Sequence, residues 1–198
     1  MHDPIVDTLI RYTRALSIAL GYRDHPTQLH SERVGHLAAE LGILCALKPR
    51  EEGILRVAAG FHDVGKIGIP DSILTKASSL DASEWAKMKQ HSAIGEEIIR
   101  ATELEGSLQA ADVIRHHHEH FDGRGYPDEL AGEAIPLFSR ITGIADSYDA
   151  MATPRIYHRA RTHDEIMSIL REETGSKHDP HLMDIFSSMI ANSKFRTA

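Results

Sequence analysis

The sequence predicts an all-α fold in one compact piece, on three observations. Nearly every apolar pattern repeats with helical spacing, and no stretch alternates in the strand manner over a useful length. No internal repeat or low-complexity linker divides the chain. Its 198 residues, 41% hydrophobic and 26% charged, are enough to bury a core and too apolar for disorder.

About eight helices follow in order. Ile5 to Leu20 reads as a first amphipathic helix ended near Gly21, so that residues 1–22 form an N-terminal helix ahead of a core spanning 27–193. A second runs from about Thr27 to Leu44, with Val34, Leu37, Ala38, Leu41 and Cys45 as its inward stripe. A third spans roughly Arg50 to Asp63 and buries Ile54, Val57, Ala58 and Phe61. After a loop through Ile69-Pro-Asp71, the capping box Asp81-Ala-Ser-Glu84 starts a fourth helix that runs to about Arg100. A fifth covers Ser107 to His118. The segment Phe121–Pro136, with three glycines and two prolines, reads as a long ordered loop or a lid. Helices at about 137–152, 163–173 and 181–192 complete the set, the last opened by Asp179-Pro180 as N-cap and first-turn proline.

Composition excludes several function classes. A single cysteine, Cys45, rules out a disulfide framework and thiolate zinc or iron–sulfur sites, and reads as a small core residue. Twenty-two Lys and Arg against 29 Asp and Glu give a net charge of -7, which disfavours duplex nucleic acid and membrane surfaces as partners. No apolar run approaches the roughly 18 residues of a membrane span. Asp3 and Asp7 stand where a signal peptide needs basic and then apolar residues, so a cytoplasmic location is expected.

The unusual count is 14 histidines. His30 extends the stripe of the second helix, His62 lies at the edge of the third, and His91 falls on the inward face of the fourth. His117 and His118 follow Val113 and Ile114 by four on the fifth. One inward histidine is ordinarily a satisfied core residue. Five of them from four helices are hard to satisfy by hydrogen bonds, and a metal centre resolves the problem. Helix neighbours diverge by about 100°, so His62-Asp63 and His117-His118 suit two nearby ions, with Asp63 able to bridge. The His-Asp dipeptide occurs four times, but only His62-Asp63 continues into Val64-Gly65-Lys66, which places a cation just beyond the ligands.

The motifs His62-Asp-Val-Gly-Lys66, Ile69-Pro-Asp71, His91, His117-His-Glu119, Asp122-Gly-Arg-Gly-Tyr-Pro127, Ile135-Pro136, Arg140-Ile141 and Asp146-Ser-Tyr-Asp-Ala150 stand in order along the chain. Together they resemble the HD-GYP subgroup of the HD phosphohydrolases. The resemblance implies a helical bundle of the HD type that hydrolyses the bacterial second messenger cyclic di-GMP at a non-haem metal centre. It implies His30, His62, Asp63, His91, His117, His118 and Asp146 as metal ligands; Asp146 lies off its helix's stripe and rests on the resemblance alone. Asp146 shares a face with the small residues Ser139, Gly143 and Ala150. His116 and His120, outside the family register, are expected to face solvent or to support the ligands. Lys66 and Arg155 would hold substrate phosphate, His158 stands where a second basic residue is expected, and Tyr126 would lie near substrate. The loop Gly125-Tyr-Pro127 would alternatively meet a diguanylate-cyclase (GGDEF) partner.

An all-nitrogen-and-oxygen ligand set favours iron or manganese. Two divalent ions less the charges of Asp63 and Asp146 leave a positive site in an acidic protein, suited to a phosphodiester. The expected reaction is attack by a hydroxide bridging the two metals, with Asp63 and Lys66 as the catalytic residues and linear pGpG, open to further cleavage to GMP, as product. The alternatives are an HD-class phosphohydrolase acting on another nucleotide or cyclic dinucleotide, and a non-catalytic binding or cyclase-docking module. The resemblance implies that some members hold a third ion through a glutamate four residues before the first histidine; here that position is Pro26, which offers no donor, so two metals are expected and not three.

Overall fold

The computed structural model describes residues 3–154 and 159–197. Among these, the chain forms helices α1 (Pro4–Arg23), α2 (His25–Leu44), α3 (Pro49–Gly60), α4 (Asp71–Leu74), α5 (Ala82–Met88), α6 (His91–Arg100), α7 (Ser107–His116), α8 (Leu137–Ala152), α9 (His163–Glu172) and α10 (Pro180–Ile190). Short 3-10 turns cover Val64–Gly68 and Gly132–Ala134. Among the described residues only two isolated bridges, Asp122 with Ala131 and Thr174 with His178, have β geometry. The all-α expectation is borne out.

Three expected helices are shorter than their apolar patterns. The third ends at Gly60, so His62 and Asp63 lie in a turn. The fifth ends at His116. The fourth is broken at Lys89-Gln90 into α5 and α6. In each case a carbonyl of the last turn accepts a side-chain hydrogen bond from a histidine just beyond. His62 Nδ1 donates to the Ala59 carbonyl (2.7 Å), His91 Nδ1 to that of Met88 (2.8 Å), and His117 Nδ1 to that of Ile114 (2.7 Å).

Two apolar clusters form the interior. One gathers Val34, Leu37 and Leu41 of α2 with Ile141, Ile144 and Tyr148 of α8 and residues of α9 and α10. The other gathers Val6 and Leu9 of α1 with Ile99 of α6 and Val113 and Ile114 of α7. Helix α3 serves both, giving Leu55 and Ala59 to the first and Ile54, Val57 and Ala58 to the second. Cys45 caps α2 half-buried against the first cluster, and Phe61 packs partly buried on the second.

The segment after α7 is an ordered loop. Phe121 and Asp122 donate backbone bonds to Lys177 and Ser176, and Gly132 donates to Phe121. The Glu119 carboxylate accepts from the Asp128 and Leu130 amides at 2.7 and 3.1 Å. Among the described residues no helix is long and apolar enough to cross a membrane.

Candidate metal centre

The histidines expected from four helices converge. His30 comes from α2, His62 and Asp63 from the turn after α3, His91 from the start of α6, His117 and His118 from the end of α7, and Asp146 from α8. His30, His62, Asp63, His91 and His117 are buried; His118 and Asp146 are partly open.

The ligand atoms form two groups. His30, His62 and Asp63 present nitrogen and oxygen atoms to one point, and His91, His117 and His118 present theirs to another. Asp63 faces both, with one oxygen 3.4 Å from His62 Nε2 and the other 3.5 Å from His91 Nε2. Asp146 lies 2.9 Å from His30 Nε2 and 3.7 Å from His62 Nε2.

Proton positions follow from the backbone. A carbonyl oxygen only accepts, so each Nδ1 bonded to one carries the hydrogen, and the neutral ring leaves a lone pair on Nε2. Burial, reinforced for His117 by its imidazole neighbours, holds the pKa of His91 and His117 below the ordinary value. Desolvation takes His118 down to about 3. His91 Nε2 and His117 Nε2 are nevertheless 3.4 Å apart, two lone pairs facing each other without a hydrogen between them. A bound cation is the species that satisfies such a pair, so the donor set fits a metal ion.

His30 differs. Burial pulls its pKa down, but Asp146 and Asp149 outweigh that and lift it to about 9. Its Nδ1 donates to Asp149 at 2.7 Å, and Asp149 is gripped by the Arg33 guanidinium at 2.7 and 2.9 Å. Sequence reasoning missed Asp149 and Arg33. Their signal was spacing, since each stands three residues beyond a ligand, on the same helix face as His30 and Asp146.

Lys66 reaches back to Asp63 at 2.6 Å, and with it the carboxylate resists the cost of burial and stays ionised well below the usual range. The turn carrying Lys66 is pinned from α1, whose last residue Arg23 donates to the Lys66 carbonyl (2.9 Å), to the carbonyls of Ile67 and Ile69, and to Asp71. Gly65 lets that turn lie on the start of α6: a Cβ there would stand 1.8 Å from the His91 carbonyl oxygen. Tyr126 donates its amide to the His118 carbonyl, and its ring lies 4.8 Å from that of His118. Ser139, Gly143 and Ala150 line a cavity of about 200 Å³ beside His117, His118 and Asp146.

Other candidates stand apart. His116 is buried and spans the Asp112 carbonyl and Asp128, so it braces the loop and does not face solvent. His120, half-buried, joins neither ligand group. Asp24, conceivable as an extra ligand, caps α2 by accepting from the Thr27 amide and hydroxyl. His25 and Pro26 lie inside α2. Arg155 and His158 fall outside the described residues.

The model for the HD domain matches residues 15–182. The chain belongs to the HD domain family. A cyclic di-GMP phosphodiesterase response regulator, RpfG of Xanthomonas campestris pv. campestris, is 39% identical over 178 residues, 90% of this chain and 46% of that protein. A 3'3'-cGAMP-specific phosphodiesterase 2 of Vibrio cholerae is 38% identical over 170 residues, 86% of this chain and 33% of its own length. This HD chain therefore spans less than half the length of these curated relatives. The crystal structure of a cyclic GMP-AMP specific phosphodiesterase of V. cholerae (V-cGAP3) superposes with a TM-score of 0.68 at 22% identity, over 96% of this chain and 50% of that one. The HD-GYP resemblance of the motifs is borne out. HD domains are metal-dependent, and the groups His30, His62, Asp63 and His91, His117, His118 are candidate ligands in this chain.

Proposed function

We propose that this chain is a phosphodiesterase that hydrolyses cyclic di-GMP to linear pGpG at a pair of iron or manganese ions. The observation that carries the reading is the pair of ligand groups sharing Asp63, with the Lys66 ammonium beside them. His30, His62, Asp63 and Asp146 would hold one ion; His91, His117, His118 and Asp63 the other. Such ions supply Lewis acidity toward a phosphoryl oxygen.

The protein's own residues do the rest. The imidazoles of His91 and His117, held neutral by burial, and the low-pKa carboxylates of Asp63 and Asp146 keep those ligand atoms free of protons. Lys66 stands where its charge would reach a nonbridging phosphate oxygen while its other face holds Asp63. Tyr126 packs on His118, one of the proposed ligands, which favours a role at the substrate over one in docking a cyclase. The curated relatives named for cyclic di-GMP and for 3'3'-cGAMP support a cyclic dinucleotide as the substrate class.

The test joins elemental analysis of the purified chain to chromatography of products from cyclic di-GMP, 3'3'-cGAMP and cyclic di-AMP. Iron or manganese and a linear product from cyclic di-GMP are expected; a chain without transition metal that keeps its fold in chelator would overturn the reading. Asp63→Ala should lower turnover at least about a thousand-fold, since both ligand groups lose their shared carboxylate. Lys66→Ala should cost about a hundred-fold in kcat at unchanged metal content, and parallel loss of metal would assign Lys66 a different role.

A further inference from the structure

Helix α5 buries none of its residues, yet carries the chain's single tryptophan, Trp85, with 47% of its surface exposed. A large aromatic on a helix that gives nothing to the core needs another reason for its place. Polar contacts anchor the start of the helix. Asp81 caps its first turn by accepting from the Ser83 and Glu84 amides, and Glu84 is paired with Lys76 across the preceding loop.

That anchoring sets Trp85 beside the candidate centre. Its ring meets Tyr126 edge-on, with centroids 6.2 Å apart and planes at 81°. Tyr126 in turn lies against His118, and 6.5 Å from His91. The ammonium of Lys89, one turn beyond Trp85, sits 5.7 Å from the Tyr126 ring. An aromatic ledge thus leads away from the ligand atoms to solvent, with a cation at its side in a protein of net negative charge. In a nucleotide, one sugar separates the phosphate from a flat π-surface, and proteins hold such bases by stacking them on aromatic rings.

We propose that Trp85 is a substrate-binding residue that stacks on a purine base of the cyclic dinucleotide whose phosphate lies at the metal centre. This rests on the phosphodiesterase reading and adds where the base goes. Stacking accepts any base, so the ledge supplies affinity without choosing between guanine and adenine; cyclic di-GMP and 3'3'-cGAMP should benefit alike.

Because Trp85 is the only tryptophan, its fluorescence reports the site directly. The metal-loaded chain, mixed rapidly with cyclic di-GMP or 3'3'-cGAMP and excited at the red edge of the indole band, should show saturable quenching before turnover. Trp85→Ala should raise KM about ten-fold or more while leaving kcat within about two-fold. Trp85→Phe should recover most of the KM, and both variants should keep the wild-type thermal midpoint. Turnover without quenching, or a Trp85→Ala variant of unchanged KM, would overturn the ledge and leave the hydrolase reading standing. Saturable quenching without turnover would support the ledge and overturn hydrolysis. Neither quenching nor turnover would remove both.

Discussion

Asp149 acts on the centre without facing it, through one hydrogen bond at His30 Nδ1 that turns Nε2 toward Asp146 and His62. Carboxylates placed behind a ligating imidazole fix its orientation and raise its basicity, and losing one costs about 10–100-fold in metal affinity. Asp149→Asn should therefore weaken metal binding by that factor, measured by competition with a chromophoric chelator, while Trp85 and the rest of the fold stay unchanged. An unaltered affinity would reduce Asp149 to a partner of Arg33. The same residue marks the limit of sequence reading. His30 and His91 were visible because they fall on apolar stripes, whereas Asp146 lies off its stripe and Asp149 beside it. A carboxylate that faces other polar groups leaves no mark in hydrophobic periodicity, so its signal is only the interval between ligand and support.

At the scale of elements, the expected helices exist and their ends moved. Apolar spacing continues through His62, Asp63 and His117, because those side chains are buried whether or not their backbone is helical. Periodicity reports burial, and the carbonyls that receive the imidazoles decide where the helix stops. The turn Val64–Gly68 shows how tightly one such end is fitted. Gly65→Ala would set a methyl group against the backbone of His91 and Gly95, which no rotamer change can relieve. The expected loss is about 1–3 kcal/mol in urea unfolding, accompanied by lower metal content as the turn and α6 separate. Full metal content at wild-type stability would show that the two backbones can part freely.

At the scale of the whole molecule, the protonation of the proposed ligands ties stability to pH. His30, raised to about 9 from an ordinary 6.5, contributes stability that is complete below about pH 6.5 and lost as pH rises through about 9. His91, His117 and His118 are shifted the other way, His118 to about 3, so their contribution is present above about pH 6.5 and fades as pH falls from there. The thermal midpoint of the chelated chain should accordingly peak near neutral pH and fall on both sides. With metal bound, His30 Nε2 no longer takes a proton, so the alkaline decline should disappear and the midpoint should rise overall. A chelated chain with a level midpoint from about pH 6.5 to 9 would contradict the clasp on His30. The spacing of the ligands also orders events in time. His30 and Asp146 are 116 residues apart, with the other ligands between them. A growing chain presents His30, His62 and His91 before α8 has been made. The proposed ligand set is thereby closed only when α8 docks on α2.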